Sequence, residues 1–331
     1  MIEFIFTIDY EIYGNGEGSL KELVYEPSER LKHIFLERGL RFVPFIEVAE
    51  LERIEAEGAD PAIDLVKRQI QDFHREGFEL GLHLHPQWYN GQYVNGRWFL
   101  DHSEYNLCSL PKARIADIVD RSIAYLRRLL GEAAYTPLSF RAGNWLFQPT
   151  RDAATVLASR GIKVDSSVFK GGLQHLHKMD YRRALNHGYY WKFNECVDVP
   201  DPEGFMLELP IYTQMVPLWR MFTAKRVGLQ RQAPMSAPTL KQKIYRVTDF
   251  MRPRHPLKLD FCRMTLDELT RMMNTVLRED EKDGASYRPV IAIGHSKDLV
   301  DYPTVESFLS YLKNNNIAVT TTGDTYRRCM G

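Results

Sequence analysis

His83 and His85 flank a single leucine, and Asp9 and Glu11 flank a single tyrosine. Each pair ends an apolar, β-prone run: Phe78–Leu82 before the histidines and Ile2–Ile8 before the acids. Alternate side chains of an extended chain share a face, so each spacing presents two ligating groups together. Paired imidazoles at a strand's end suit one divalent metal. Pro86 then stops the ladder. Taken singly, each pair has a plainer explanation. The histidines could be solvated, and the acids could belong to the turn Tyr13-Gly14-Asn15-Gly16. Their combination gives the metal reading its weight.

The elements that must position these groups alternate strand with helix. The pattern predicts strands at Ile2–Ile8, Arg41–Ile46, Phe78–His83, Leu138–Arg141, Ile162–Val164, Phe205–Ile211, Pro289–Ile293 and Ile317–Thr321. It predicts helices at Ser28–Arg38, Glu47–Glu57, Ala62–Glu76, Pro111–Leu130, Thr150–Arg160 (closed by Gly161), Leu266–Lys282 and Thr304–Asn314. Thr265 and Glu268 have the spacing of a capping box before Leu266. Such alternation implies a mostly parallel sheet. Seven or eight strands over 331 residues favour an α/β fold closed, or nearly closed, as a distorted (β/α) barrel. The chain reads as one domain, residues 1–331, with an irregular basic insertion or lid at about 169–262.

Five strands deliver titratable groups at their C-terminal ends: Asp9 and Glu11, His83 and His85, Arg141, Asp165 and His295. That end is the functional face of such barrels. His83, His85 and Glu11 form a two-histidine, one-carboxylate set with positions left for water, as zinc hydrolases and some non-haem iron oxygenases have. A divalent ion lowers the pKa of water it binds from about 16 to about 7. Asp9 is placed to take that water's proton and Arg141 to keep Asp9 ionised. His295 can donate a proton to a leaving amine, and Asp165 can hold its ring. Together these groups suffice for metal-assisted amide or ester hydrolysis. Zinc is the default ion; manganese, nickel, cobalt and iron stay open.

The same residues resemble, in order, the motifs of the polysaccharide deacetylase family, the carbohydrate esterases (family 4) built on the NodB-type homology domain. The matching stretches are Phe6-Thr7-Ile8-Asp9-Tyr10-Glu11, Gly81-Leu82-His83-Leu84-His85, Phe140-Arg141-Ala142-Gly143-Asn144-Trp145, Val164-Asp165-Ser166-Ser167 and Ile293-Gly294-His295. The resemblance implies a distorted (β/α) barrel and removal of acetyl groups from N-acetyl sugars. It implies Asp9 as base, Glu11 and His83 as metal ligands, Arg141 as partner of the base, His295 as acid and Asp165 as its orienting carboxylate. The chain departs from the family pattern in three places. Its second acid is Glu11 rather than an adjacent aspartate. His85 follows after one residue rather than three, with Gln87 four beyond His83. Gly143 replaces a proline. Two other readings stay open: a metal hydrolase of another C–N or glycosidic bond, and a glycan-binding relative with a dead site.

Substrate and setting leave fainter marks. Trp145 and Asn144, inside the third motif, are candidates for lining the pocket. Trp88, Tyr89, Tyr93, Trp98 and Phe99 follow His85; exposed, they could stack on sugars, and buried they would form a small satellite core. From Arg220 to Arg263 eleven Lys or Arg meet only Asp249 and Asp260, a net of +9 in a chain of zero formal charge. With Trp219, Met221 and Phe222 beside it, residues 220–263 suit an anionic membrane surface or a phosphate-bearing carrier. Zero net charge argues against nucleic acid as partner. Four scattered cysteines, the lack of a leader-like start and the lack of a long apolar run point to a cytoplasmic setting, peripheral to the inner membrane surface if the basic stretch binds lipid.

Overall fold

Ile2–Tyr10 forms β1, and all nine of its residues are buried, as a nearly unbroken apolar run requires of a strand covered on both faces. The structure is a computed structural model that describes residues 1–232 and 252–330. Around β1 gather β2 (Val43–Glu47), β3 (Gly81–Leu84), β4 (Ser139–Ala142), β5 (Val164–Asp165), β6 (Trp191–Phe193), β7 (Met206–Glu208), β8 (Arg288–His295) and β9 (Ala318–Val319). Their order is β6-β7-β5-β4-β3-β2-β1-β8, with β9 beside the first half of β1. All neighbours are parallel except β6 and β7. The sheet curls into a distorted half-barrel. Its margins meet through Ile211, which bridges to Phe169 on one side and to Ile291 of β8 on the other.

Helices cover the outside: α1 (Glu26–Leu36), α2 (Val48–Glu57), α3 (Ile63–Arg75), α4 (Lys112–Leu130), α5 (Arg151–Ser159), α6 (Leu266–Lys282), α7 (Tyr302–Asn314) and α8 (Thr322–Met330). Strand alternation sorts the side chains of β1. Phe6 faces outward and meets Phe35 of α1 at 5.1 Å and Phe308 of α7 at 6.1 Å, both edge-on. Ile5 faces inward and joins Val43, Phe45, Val164, Leu207, Leu209 and Ile291 in a small inner core. Thr7 and Asp9 continue that inward row. Helix α6 starts with the expected capping box. Helix α8 does not follow from the sequence pattern, which ends in strand. Tyr326, Cys329 and Met330 pack against the inner core, and Glu79 accepts from Gly323 N at 2.7 Å at the helix start.

The irregular section is tied into the barrel. Thr213–Val216 and His255–Lys258 pair as an antiparallel ribbon. Beyond it the chain bonds to β8: Ile293 N donates to Leu259 O at 2.9 Å and Phe261 N to Ile293 O at 3.0 Å. Gly294 permits this approach, since a Cβ there would lie 2.6 Å from both Cys262 Sγ and the Phe261 ring.

One expectation is corrected here. The expected membrane contact of residues 220–263 has no membrane-spanning helix behind it: no helix among the described residues is long and apolar enough to cross a membrane. Several described cations of this stretch are instead engaged by the protein's own groups. Lys225 pairs with Asp301 at 3.0 Å, Arg226 with Glu268, and Arg263 with Asp298 at 2.7 Å. Arg252 donates to Gly171 O at 2.9 Å. Residues 233–251, with Lys241, Lys243 and Arg246, lie outside the described residues.

Candidate active site

Strand register brings the polar groups to one level. Asp9 lies opposite His295, Glu47 opposite His83, and His83 opposite Arg141, each at the C-terminal end of its strand. Asp9 Oδ1 accepts from Arg141 Nη1 at 2.6 Å, and its Oδ2 lies 3.5 Å from His295 Nε2 and 4.0 Å from His83 Nε2. The Arg141 guanidinium is wholly buried. It sits 4.2 Å over the Phe45 ring and also donates to Ser166 O and Thr7 Oγ1, both at 2.9 Å. Its planar fork is thereby fixed. Burial pushes the Asp9 carboxyl up, but Arg141, His83 and His295 outweigh it and hold the group below its ordinary value.

Beside this pair lies a cluster suited to a cation. Glu11 Oε2 is 3.1 Å from His85 Nε2 and 3.4 Å from His83 Nε2. One ligand atom from each of Glu11, Glu47, His83 and His85 lies within 4.8 Å of the others. Glu47 caps α2 through Glu50 N at 3.3 Å, while its other oxygen is buried without a hydrogen-bond partner. Burial pushes its carboxyl up to about 8. A buried carboxyl with an unsatisfied oxygen, grouped with two imidazoles and a second carboxylate, fits a divalent ion. His83 Nδ1 donates to Arg141 O at 2.8 Å, which fixes the tautomer and aims Nε2 at the cluster. Although burial works against its charge, Asp9 and Glu11 push His83 up to about 9. His85 is lowered by burial. The side-chain amides of Gln87 and Asn144 each reach His85 Nδ1 at 3.2 Å. An amide offers a donor on one side and an acceptor on the other, so either tautomer can be served. Lys297 Nζ donates to Glu11 Oε1 at 2.7 Å and Ile12 O at 2.9 Å. Burial would push the Glu11 carboxyl up, yet Lys297 and the two histidines hold it well below the usual range. A second, overlapping set joins Glu11 to Asp9 and His295.

Asp9, Glu11, His83, His85, His295 and Lys297 open into a cavity of about 320 Å³ also lined by Asn144, Trp145, Arg226, Lys258, Asp260 and Arg263. Asn144 and Trp145 both take left-handed backbone (φ 54° and 60°) after β4, and both line the cavity. Two expected positions differ. Trp88 is buried in the main hydrophobic core, packs edge-on to Trp98 at 5.0 Å and does not line the cavity. Asp165 does not orient His295. Its oxygens bond Ser167 Oγ at 2.7 Å and Ser167 N at 3.1 Å, and its cross-strand neighbour is Glu208. The carboxylate beside His295 Nδ1 is Asp298, at 3.8 Å.

Glu47, Lys258, Lys297 and Asp298 do not emerge from the sequence reading. Glu47 reads there as the first acid of a helix. Lys297 and Asp298 follow His295 so closely that the strand-end rule that finds His295 could have flagged them. Lys258 sits in the irregular section, where no period guides the eye.

No family model matches the chain, and no curated protein matches it in sequence. Solved structures match it in three dimensions. A protein from Mycobacterium smegmatis, provisionally assigned as a polysaccharide deacetylase, superposes with a TM-score of 0.55 over 98% of this chain and 89% of that one, at 14% identity. The 4-alpha-glucanotransferase of Thermococcus litoralis gives 0.50 over 99% of this chain and 38% of that one, at 12% identity. Puue allantoinase gives 0.48 over 98% and 89%, at 13% identity. What this chain shares with the first of these is the curled strand-and-helix barrel, a likeness of fold at low sequence identity.

Proposed function

We propose that the chain is a metal-dependent hydrolase that removes an acetyl group from an N-acetylated sugar or glycan. The observation carrying this reading is that Asp9, Glu11, His83, His85 and His295 line one cavity, with Arg141 bonded to Asp9 and Glu47 grouped with the ligands behind them. His83, His85, Glu11 and Glu47 would hold the ion, with zinc as the first choice for this donor set. When bound, a divalent ion supplies an acidified water and polarises a carbonyl oxygen. Asp9, kept ionised by Arg141, accepts the proton of the attacking water. His295 is lowered by burial, so its ring is neutral before reaction. Its Nε2, 3.5 Å from Asp9 Oδ2, is placed to receive that proton and deliver it to the departing amine. Asp298 near Nδ1 favours the imidazolium that forms on the way.

The test is acetate release from N-acetylglucosamine oligomers by the zinc-loaded chain. Asp9→Asn is expected to lower kcat by on the order of a hundredfold or more, as loss of a general base does. Near-full activity in Asp9→Asn, or no acetate from any acetylated sugar tried, would overturn the reading.

A further inference from the structure

One amine in the cavity has no work in the scheme above. Lys258 ends the ribbon strand His255–Lys258. Its backbone is fixed by the next residue, since Leu259 N donates to Tyr212 O at 2.7 Å and Leu259 O accepts from Ile293 N at 2.9 Å. The side chain reaches over the Trp145 ring, with Nζ 3.0 Å from its centroid, and lies 4.8 Å from the Phe169 ring. Trp145 in turn stands edge-on to His295, with ring centroids 6.2 Å apart. Amine, indole and imidazole therefore form one continuous wall of the cavity.

The other cations of that wall are already engaged. Lys297 is held by Glu11, Arg263 by Asp298 and Arg226 by Glu268. Among the described residues no carboxylate pairs with Lys258, whose close neighbours are the two rings. An aromatic face attracts the charge but leaves N–H groups of the ammonium without acceptors. Burial lowers this amine to about 7. Asp260 and Asp9 act against that shift, and Arg263 and Arg141 act with it. Such a group, fixed on rigid backbone and aimed into the reaction cavity, is what a preorganised donor to developing charge requires.

We infer that Lys258 is a substrate-contacting catalytic residue, whose ammonium donates a hydrogen bond to the acyl carbonyl oxygen as that oxygen gains negative charge. The inference rests on the hydrolytic reading above. It assigns to the insertion a direct part in the chemistry.

Two measurements on the full, zinc-loaded chain test it. The first is acetate release from the N-acetylglucosamine tetramer. Lys258→Met is expected to lower kcat by on the order of a hundredfold with KM within about threefold, the pattern of a contact made in the transition state. Lys258→Arg, which stays charged, should recover part of the rate and move the alkaline limb of kcat upward. Unchanged kinetics in Lys258→Met, or a rise in KM alone, would overturn the inference while leaving hydrolysis intact. The second measurement needs no turnover. After reductive ¹³C-methylation, the Lys258 resonance, identified by its absence in Lys258→Arg, should shift when acetate is added. If the wild type releases no acetate but the resonance shifts, the sugar-deacetylase reading fails and the donor role stands. If it does not shift, the donor role falls.

Discussion

Glu47 and His83 hold protons at neutral pH for opposite reasons. Burial disfavours the charged form of Glu47 and takes it to about 8. For His83 burial also opposes charge, but Asp9 and Glu11 favour it and take the ring to about 9. Both groups must be unprotonated to ligate, so metal and protons compete. Zinc affinity should therefore rise with pH up to about 9, by up to tenfold per unit for each proton displaced. At pH 7 binding should release close to two protons, measured by calorimetry in buffers of different ionisation enthalpy. Glu47→Gln should release one fewer and bind more weakly; full proton release in that variant would remove Glu47 from the ligand set. The two histidines and the first acids were legible because each sits where a strand pattern ends. Glu47 was not, because a glutamate ahead of Val48-Ala49-Glu50-Leu51 already has a helix-capping role, which it also fills.

Two departures from the resembled family pattern prove to be one arrangement at the level of elements. The shortened His83-Leu84-His85 spacing lays the His85 ring against the end of β4. There, a Cβ at position 143 would lie 2.6 Å from Leu84 O and 2.8 Å from His85 Cγ and Nδ1. A proline carries that same atom, so position 143 does not admit one while His85 lies there. Gly143→Ala should displace His85 and weaken zinc binding on the order of 10- to 100-fold, with the far-ultraviolet circular dichroism of the wild type retained. Unaltered zinc affinity would show that His85 is not a ligand. The sequence presents both departures but not their connection, which depends on β3 and β4 being neighbours.

Strand and helix alternation made the barrel legible across the whole molecule, because long apolar runs and amphipathic helices dominate it. What closes the barrel was not legible. Ile211 bridges its margins through single pairings without a repeating pattern, and α8 is short and mostly polar. A buried acid pair, Asp165 and Glu208, faces across β5 and β7, and burial raises both carboxyls. A raised carboxyl contributes stability below its unfolded pKa and loses it as pH rises through the folded value, at up to about 1.4 kcal/mol per pH unit. Glu208→Gln should therefore lose less stability than the wild type as pH rises above the ordinary carboxylate range, followed by urea unfolding. Equal losses would mean the pair does not titrate there.

Strand β8 has a further consequence. It is laced to β1 from Ile2 to Asp9 on one side and to residues 259–261 on the other, two residues before its terminal histidine. The ribbon and the imidazole are thus anchored to one beam, so prising up the first should unseat the second.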